Sequence, residues 1–433
     1  MSVVDNADGR NAAGFRDVAC VRYYRDIRTG ARRDARQIGY GVNKWPVSAT
    51  VHEVLHRVYG RLLGERVTEY DGDQDIVERR LIAGLVSRYL DLPGLDADHV
   101  SLFNGTTEVI SVVTAFAARH GMRPVLPLPV YYAFEQSAAR HGMPPPVHYN
   151  HRGDLAPWGR DEREPLVIDI APNGVTGGWF TAGDRPLSHL RSRLRLVDHV
   201  FALPTFDHPD HLRAELRTRA GDLRHTALAM TPSKDLSLPG IRCGVLVSRD
   251  PEVHAYARAD RFERGYALHA GLGSVAAVHL AMLLISLCPP AEVLSLATEL
   301  GQEFAAAAVP FPDDLAIADF RLHMQGMREG FLRNLDLVDR APSLVLDDLL
   351  QQPAAGYSAF RWLAVPFESF AEFTSWVRSA GQAGLKLNPN LLFGGDQEAW
   401  QTLYPDRYGI RVNLSVPPPQ LRTNLRLLES LLP

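Results

Sequence analysis

Between residues 61 and 305 the chain alternates helical patterns with short runs made almost wholly of Val, Leu, Ile and Ala, and this alternation constrains the fold more than any other feature. In "DIVERRLIAGLVSRYL" the apolar residues Ile76, Leu81, Ile82, Leu85, Val86 and Leu90 recur at helical spacing. "HVSLF" follows as a strand, and "TEVISVVTAFAARHG" as a helix that stops at Gly121. "PVLPLP", "PLVIDIAP", "RLRLVDHVF", "HTALAMT" and "IRCGVLVSR" are further apolar runs too short for helices, and they read as strands buried on both faces. Strands separated by helices predict an α/β fold with a mostly parallel central sheet covered on both sides. Such sheets bind ligands at the carboxyl ends of their strands.

A chain of 433 residues exceeds one compact core, so a second domain is expected. After about residue 305 the pattern becomes a helix-strand mixture ("SAFRWLAVPF", "FAEFTSWVRSAGQAGL", "YGIRVNLSV", "PPQLRTNLRLLESLL"), read as a smaller α+β domain over 306–433. Residues 1–60 read as an N-terminal arm plus part of that small domain, the first 20 or so as a mobile tail. A net charge of -4 and a pI near 6.5 argue against nucleic-acid or anionic-membrane partners. The longest apolar run, "AAVHLAMLLISLC", is too short to span a bilayer and suits a buried helix, although it includes a histidine. Cys20, Cys243 and Cys288 are scattered, with neither a disulfide framework nor a metal pair. The polar start "MSVVDNADGRNAAGFRD" has no secretory apolar core, so a soluble, cytoplasmic protein without a metal is expected.

Of 46 basic residues 43 are arginine; the lysines are Lys44, Lys234 and Lys386. Arginine serves for surface charge but never loses its proton, so it cannot attack a carbonyl as an amine. Lys234 lies in "MTPSKDLSLPGIRCG", among the hydroxyls of Thr231 and Ser233 and eight residues before Arg242. Hydroxyls and a guanidinium suit phosphate oxygens. "SLFNGTTEVI" places Asn104, Gly105, Thr106 and Thr107 between strand and helix, where N–H groups can receive an anion or Asn104 and Glu108 can simply cap the helix. "PVYYAF" offers Tyr131 for stacking on a flat ring or for packing. Asp198 ends the strand "LRLVDHVF", as a cap or as a carboxylate for a heteroaromatic nitrogen. Together these are a phosphate cradle, a ring-stacking aromatic, a carboxylate and a Schiff-base lysine, which is what pyridoxal 5′-phosphate needs from a protein.

In order and spacing these motifs resemble the fold type I pyridoxal-phosphate enzymes, specifically the class I/II aminotransferases of the aspartate and histidinol-phosphate type. Thr231, Ser233, Lys234, Pro239-Gly240 and Arg242-Cys243-Gly244 match the most specific part, and the resemblance runs from about Gly39 to the C-terminus. It implies that Lys234 forms the Schiff base and shuttles protons, and that Asp198 pairs with the pyridinium nitrogen. Tyr131 would stack on the ring, while Gly105, Thr106, Thr107, Thr231 and Arg242 would hold the phosphate, with Ser233 beside them. "TEYDGD" resembles the segment whose tyrosine, Tyr70, reaches the phosphate of a neighbouring subunit, implying a homodimer with shared active sites. In "YGIRVNLSV" Arg411 corresponds to the fork on the substrate α-carboxylate, and the resemblance of "GYGVNKWP" to the N-terminal substrate loop implies Val42 and Asn43, with Lys44 as a further candidate, near the amino acid.

Two positions depart from the family pattern. The usual Asn-Pro-x-Asn-Pro-Thr-Gly loop reads "APNGVTG", with Gly174 aligned to the ring-contacting Asn and Asn173 one residue earlier. Phe201 stands where a tyrosine is expected three residues after the acid. Both bear on the donors to the ring oxygen, which help set the acidity of the lysine-bound cofactor. Either Asn173 still reaches that oxygen through a shifted loop and the protein is an aminotransferase for an α-amino acid, or the site is retuned for elimination or replacement, cyclisation, decarboxylation or oxidation in specialised metabolism. A ligand sensor built on this fold is a third reading, but barely 40 residues precede "GYGVNKWP", too few for a DNA-binding domain. The substrate's side chain is not legible; "GYSAFRW" and "NKWP" suggest an aromatic-lined pocket with Arg361 or Lys44 as charge partner, or both residues serve the structure alone.

Overall fold

The computed structural model describes residues 17–65, 76–157, 163–180, 192–265, 268 and 270–433. Most of the N-terminal tail and the whole of "TEYDGD", with Tyr70, lie outside the described residues. The chain forms two compact units, each assembled from separated stretches. Unit A comprises Met1–Asn43, Thr114–Arg193 and Gly330–Pro433; unit B comprises Lys44–Val113 and Leu194–Glu329. In chain order the strands are β1 (Arg36–Gln37), β2 (Val100–Phe103), β3 (Arg123–Pro127), β4 (Val147–Tyr149), β5 (Pro165–Ile170) and β6 (Leu194–His199). They continue as β7 (Thr226–Met230), β8 (Gly244–Val247), β9 (Leu344–Val345), β10 (Ser358–Leu363), β11 (Leu385–Lys386) and β12 (Gly409–Asn413).

Unit B holds β2, β6, β7 and β8. Every residue of β2, β7 and β8 is buried, which is why these segments are apolar runs rather than alternating patterns. β7 runs parallel to β6, whereas β8 is antiparallel to both β7 and β2. β2, β6 and β7 therefore point the same way and end on one edge, where β8 begins. The helix Ile76–Leu90 buries Leu81, Ile82, Leu85, Val86 and Leu90, as its spacing predicts, whereas Ile76 at its first position is exposed. The run "AAVHLAMLLISLC", up to its last residue Cys288, lies in the helix Leu272–Leu287, which is buried at every position except Ser286. A helix apolar all round belongs to a core, and among the described residues no helix is long and apolar enough to cross a membrane. Helix boundaries follow local chemistry: Asp250 caps Pro251–Arg264 by accepting the Glu252 N–H, and Gly265 closes it at φ 62°.

Unit A holds β3 flanked by β4 and β5, all parallel. Val125, Tyr149, Val167 and Phe180 form a core cluster here. β4 is absent from the sequence reading because three residues carry no measurable periodicity. A second sheet pairs β10 antiparallel with β12 and β9, and β1 runs parallel to β11. The Asn334 amide donates to the carbonyls of Leu414 and Val416 at 2.8 and 2.7 Å, tying a helix to the segment after β12. One expectation is corrected at β10. Arg361 is 1% exposed, with Nε and Nη2 donating to Asp339 Oδ1 at 3.1 and 2.7 Å and Nη2 also to Gln352 Oε1 at 2.9 Å. Its guanidinium is an internal tie rather than a charge offered to a substrate, because a buried cation must be paired where it sits. Lys44, the other candidate, is exposed.

Candidate active site

Strand register in unit B assembles most of the expected residues. Phe103 pairs with Gly244, Met230 with Val245, and Asp198 with Ala229. The turn after β2, the turn after β7 and the residues leading into β8 therefore share one edge with Asp198. Gly105 has φ 95°, and a Cβ there would lie 2.5 Å from Arg242 Nη2. A Cβ on Gly244 would lie 2.6 Å from the Gly105 carbonyl carbon and 2.9 Å from the Thr106 nitrogen. Only two glycines let the turn lie against β8 with the Arg242 guanidinium close over it. The helix Thr106–Arg119 starts there, and Glu108 accepts the Asn104 N–H at 2.6 Å, so capping and an anion-receptive N-terminus coexist. Thr106 is half-buried and Thr107 exposed.

Thr231 caps the short turn Pro232–Asp235. Its hydroxyl accepts the Ser233 N–H at 3.2 Å, donates to the Cys243 carbonyl at 2.6 Å, and lies 2.9 Å from Ser233 Oγ. Lys234, half-buried, belongs to that turn. Asp198 is buried, and its Oδ1 has no hydrogen-bond partner. Burial pushes its carboxyl up to about 7, against the pull of the Lys234 cation. A buried carboxylate oxygen without a donor, facing the same edge as an amine and a guanidinium-covered helix N-terminus, fits a ligand with a cationic N–H at one end and a phosphate at the other. Pyridoxal phosphate has that shape of charge. Phe201 is buried and offers no hydroxyl.

Two residues of this neighbourhood escape sequence reasoning. Asp235 Oδ1 accepts the Leu203 N–H at 3.0 Å and its Oδ2 bonds His279 Nε2 at 2.9 Å, both side chains being buried. The signal is the histidine inside an otherwise apolar helix, since a buried polar ring requires a partner.

Unit A gathers the remaining expected residues. Arg411 on β12 donates from Nη2 to the Gly39 carbonyl at 3.0 Å and lies over the Phe393 ring at 5.0 Å. Its Nε is buried without a partner. Burial pushes its guanidinium below the ordinary range, with Tyr357 and Tyr131 pulling the other way. Asn413 donates to the carbonyls of Tyr40 and Val42, both at 2.9 Å, and Tyr357 donates to the Gly41 carbonyl at 3.0 Å. Those bonds lay the "GYGVN" segment along β12, with Asn43 buried. Tyr131 is exposed, edge-on to Tyr132. Asn173 is fully buried: its amide donates to the Pro129 carbonyl at 2.9 Å and accepts the Val175 N–H at 2.9 Å, holding its own turn. The unpaired Arg411 Nε suits one oxygen of a carboxylate. Cys20, Cys243 and Cys288 are free thiols.

No family model matches the chain. It is 28% identical over 204 residues to the alanine aminotransferase of Mycobacterium bovis, covering 43% of this chain and 46% of that protein. It is also 28% identical over 194 residues to histidinol-phosphate aminotransferase 1 of Burkholderia lata, covering 43% of this chain and 52% of that one. The chain thus spans about half the length of the curated relatives it matches. Among solved structures, a double mutant of Thermus thermophilus aspartate aminotransferase superposes with a TM-score of 0.66 over 97% of this chain and 98% of that chain, at 13% identity. The fold is fold type I, that of the class I/II aminotransferases.

Proposed function

We propose that the chain is a pyridoxal-phosphate-dependent aminotransferase acting on an α-amino acid. The observation that carries this reading is the buried, partnerless Asp198 oxygen on the same sheet edge as Lys234, Arg242 and the Gly105 turn. When bound, pyridoxal phosphate supplies an aldehyde that takes an amine and a ring that accepts electrons from a breaking Cα bond. Asp198 would hold the proton on the ring nitrogen, and in doing so regain a partner for its orphan oxygen. Arg242, Thr106, Thr107 and the N–H groups after Gly105 would hold the phosphate, with Thr231 and Ser233 shaping the turn beside it. Lys234 would hold the aldehyde at rest and, as a free amine, move the proton at the substrate Cα. Tyr131 would lie against the ring, Arg411 would take the α-carboxylate, and Asn43 would stand beside the amino acid. The resemblance at Tyr70 supports a homodimer with shared active sites, and the three free thiols support a cytoplasmic setting.

A second reading, a non-transaminating enzyme of the same fold, is favoured by one observation: Phe201, where a tyrosine is expected, has no hydroxyl, while one N–H of the Asn173 amide is taken by the Pro129 carbonyl. One experiment separates the two. The protein is loaded with pyridoxal phosphate and mixed with single amino acids, and products are identified by mass spectrometry. The aminotransferase reading expects the cofactor band to bleach with one equivalent each of pyridoxamine phosphate and a 2-oxo acid of unchanged skeleton. Ammonia release, carbon dioxide release or a cyclised product without pyridoxamine phosphate would overturn it in favour of the second reading.

A further inference from the structure

We propose that Asp235, clamped by His279 and by the Leu203 N–H, is the positioning residue that fixes Lys234 relative to Asp198. The proposal rests on the aminotransferase reading of this site. Lys234 belongs to a turn of four residues, Pro232–Asp235, and a single turn cannot hold itself. Its N-terminal end is anchored by Thr231, which accepts the Ser233 N–H and donates to the Cys243 carbonyl. Its C-terminal end is anchored by Asp235. One oxygen of that carboxylate accepts the Leu203 N–H at 3.0 Å, and Leu203 follows Asp198 by five residues on the segment leaving β6. A single side chain thereby ties the lysine turn to the strand end that carries the ring-nitrogen carboxylate.

The second oxygen is held by His279 Nε2 at 2.9 Å, from the middle of the helix Leu272–Leu287. His279 Nδ1 is buried without a partner, so Nε2 is the ring nitrogen that engages the Asp235 carboxyl. Asp235 forms no ion pair with a Lys or Arg among the described residues; the side chain it bonds is that of His279. Tyr89, whose hydroxyl bonds His199 Nε2 at 2.8 Å, is a titratable group that Asp235 also acts on. A buried carboxyl group held by one backbone N–H and one imidazole, with no Lys or Arg paired to it, is costly to keep. Placing it directly after the reactive lysine gives that cost a purpose, since the amine must meet an aldehyde within a fraction of an ångström.

The test uses full-length wild type, His279→Leu, His279→Gln and Asp235→Asn, freed of cofactor and mixed with pyridoxal phosphate. The rise of the lysine-bound cofactor band is followed by stopped flow, its position recorded, and each protein's thermal unfolding measured in parallel. His279→Leu and Asp235→Asn are expected to slow the rise roughly 10- to 100-fold and to displace the band, whereas His279→Gln, which still presents an N–H to Asp235, recovers to within about threefold of wild type. A purely structural role would lower the unfolding temperature and leave rate and band unchanged in the folded protein, which would overturn the proposal. So would a His279→Gln variant as slow as His279→Leu. Should His279→Leu fail to fold, Asp235→Asn against His279→Gln decides by the same criteria. A wild type that forms no band overturns the aminotransferase reading and this inference together; a band in wild type with unchanged variants overturns this inference alone.

Discussion

Replacing Asp198 by Asn should make the cofactor-free protein's stability less sensitive to pH. In the folded chain the Asp198 carboxyl keeps its proton up to about 7, because burial penalises the charged form, while the unfolded chain releases it near 3.8. Between those values the folded state binds more protons than the unfolded one, so stability falls as pH rises. At about 1.4 kcal/mol per pH unit, crossing the window costs at most about 4 kcal/mol, of which roughly 2.5 kcal/mol falls between about pH 5 and about pH 8. Asn carries no charge at either pH, so its own burial cost is constant and cancels in the comparison. Urea unfolding of both proteins, stripped of cofactor, at the two pH values reads the difference directly. Wild type should lose roughly 2.5 kcal/mol more than Asp198→Asn on going from the lower to the higher pH, and added pyridoxal phosphate should remove that excess by giving the carboxylate a cationic N–H. Parallel pH dependence in the two proteins would refute the claim that burial keeps the Asp198 carboxyl protonated up to about 7.

Gly105→Ala should weaken pyridoxal phosphate binding roughly tenfold or more, since φ 95° strains any Cβ and the methyl would displace the Arg242 guanidinium; an absorbance titration with unchanged affinity would contradict this. Arg411→Lys should raise the amino-acid KM about tenfold or more while cofactor affinity stays put, because a point charge cannot replace the planar fork. Asp339→Ala should destabilise the protein by roughly 1–3 kcal/mol by removing the counter-charge of the buried Arg361, without changing which amino acid reacts. A changed substrate preference in that variant would return Arg361 to the substrate pocket.

What the sequence discloses follows from where chemistry restricts residue choice. Lys234, Asp198, Arg242 and the Gly105 turn are legible because an amine, a carboxylate and an anion site at strand ends have few substitutes, and the register of β2, β6, β7 and β8 does bring those ends together. The helix Leu272–Leu287 is legible from its unbroken apolar run. The Asp235–His279 pair is not, because its partners stand 44 residues apart and either residue alone reads as ordinary polarity. Arg361 misleads for a related reason: a guanidinium in an aromatic stretch looks like a substrate contact until Asp339, on another element, is seen to hold it. The turn that Asn173 holds, through bonds to Pro129 and Val175, is not disclosed by the motif, since both partners acquire their meaning only in the fold. β4 is invisible because three buried residues acquire their meaning only from β3 alongside.

With three lysines in the chain, the central claim admits a direct measurement. The protein is saturated with pyridoxal phosphate, reduced with borohydride, digested and mapped by mass spectrometry. A stoichiometric phosphopyridoxyl tag on Lys234, lost in Lys234→Ala, is the predicted result. A tag on Lys44 or Lys386 instead, or no tag at saturation, would contradict the account.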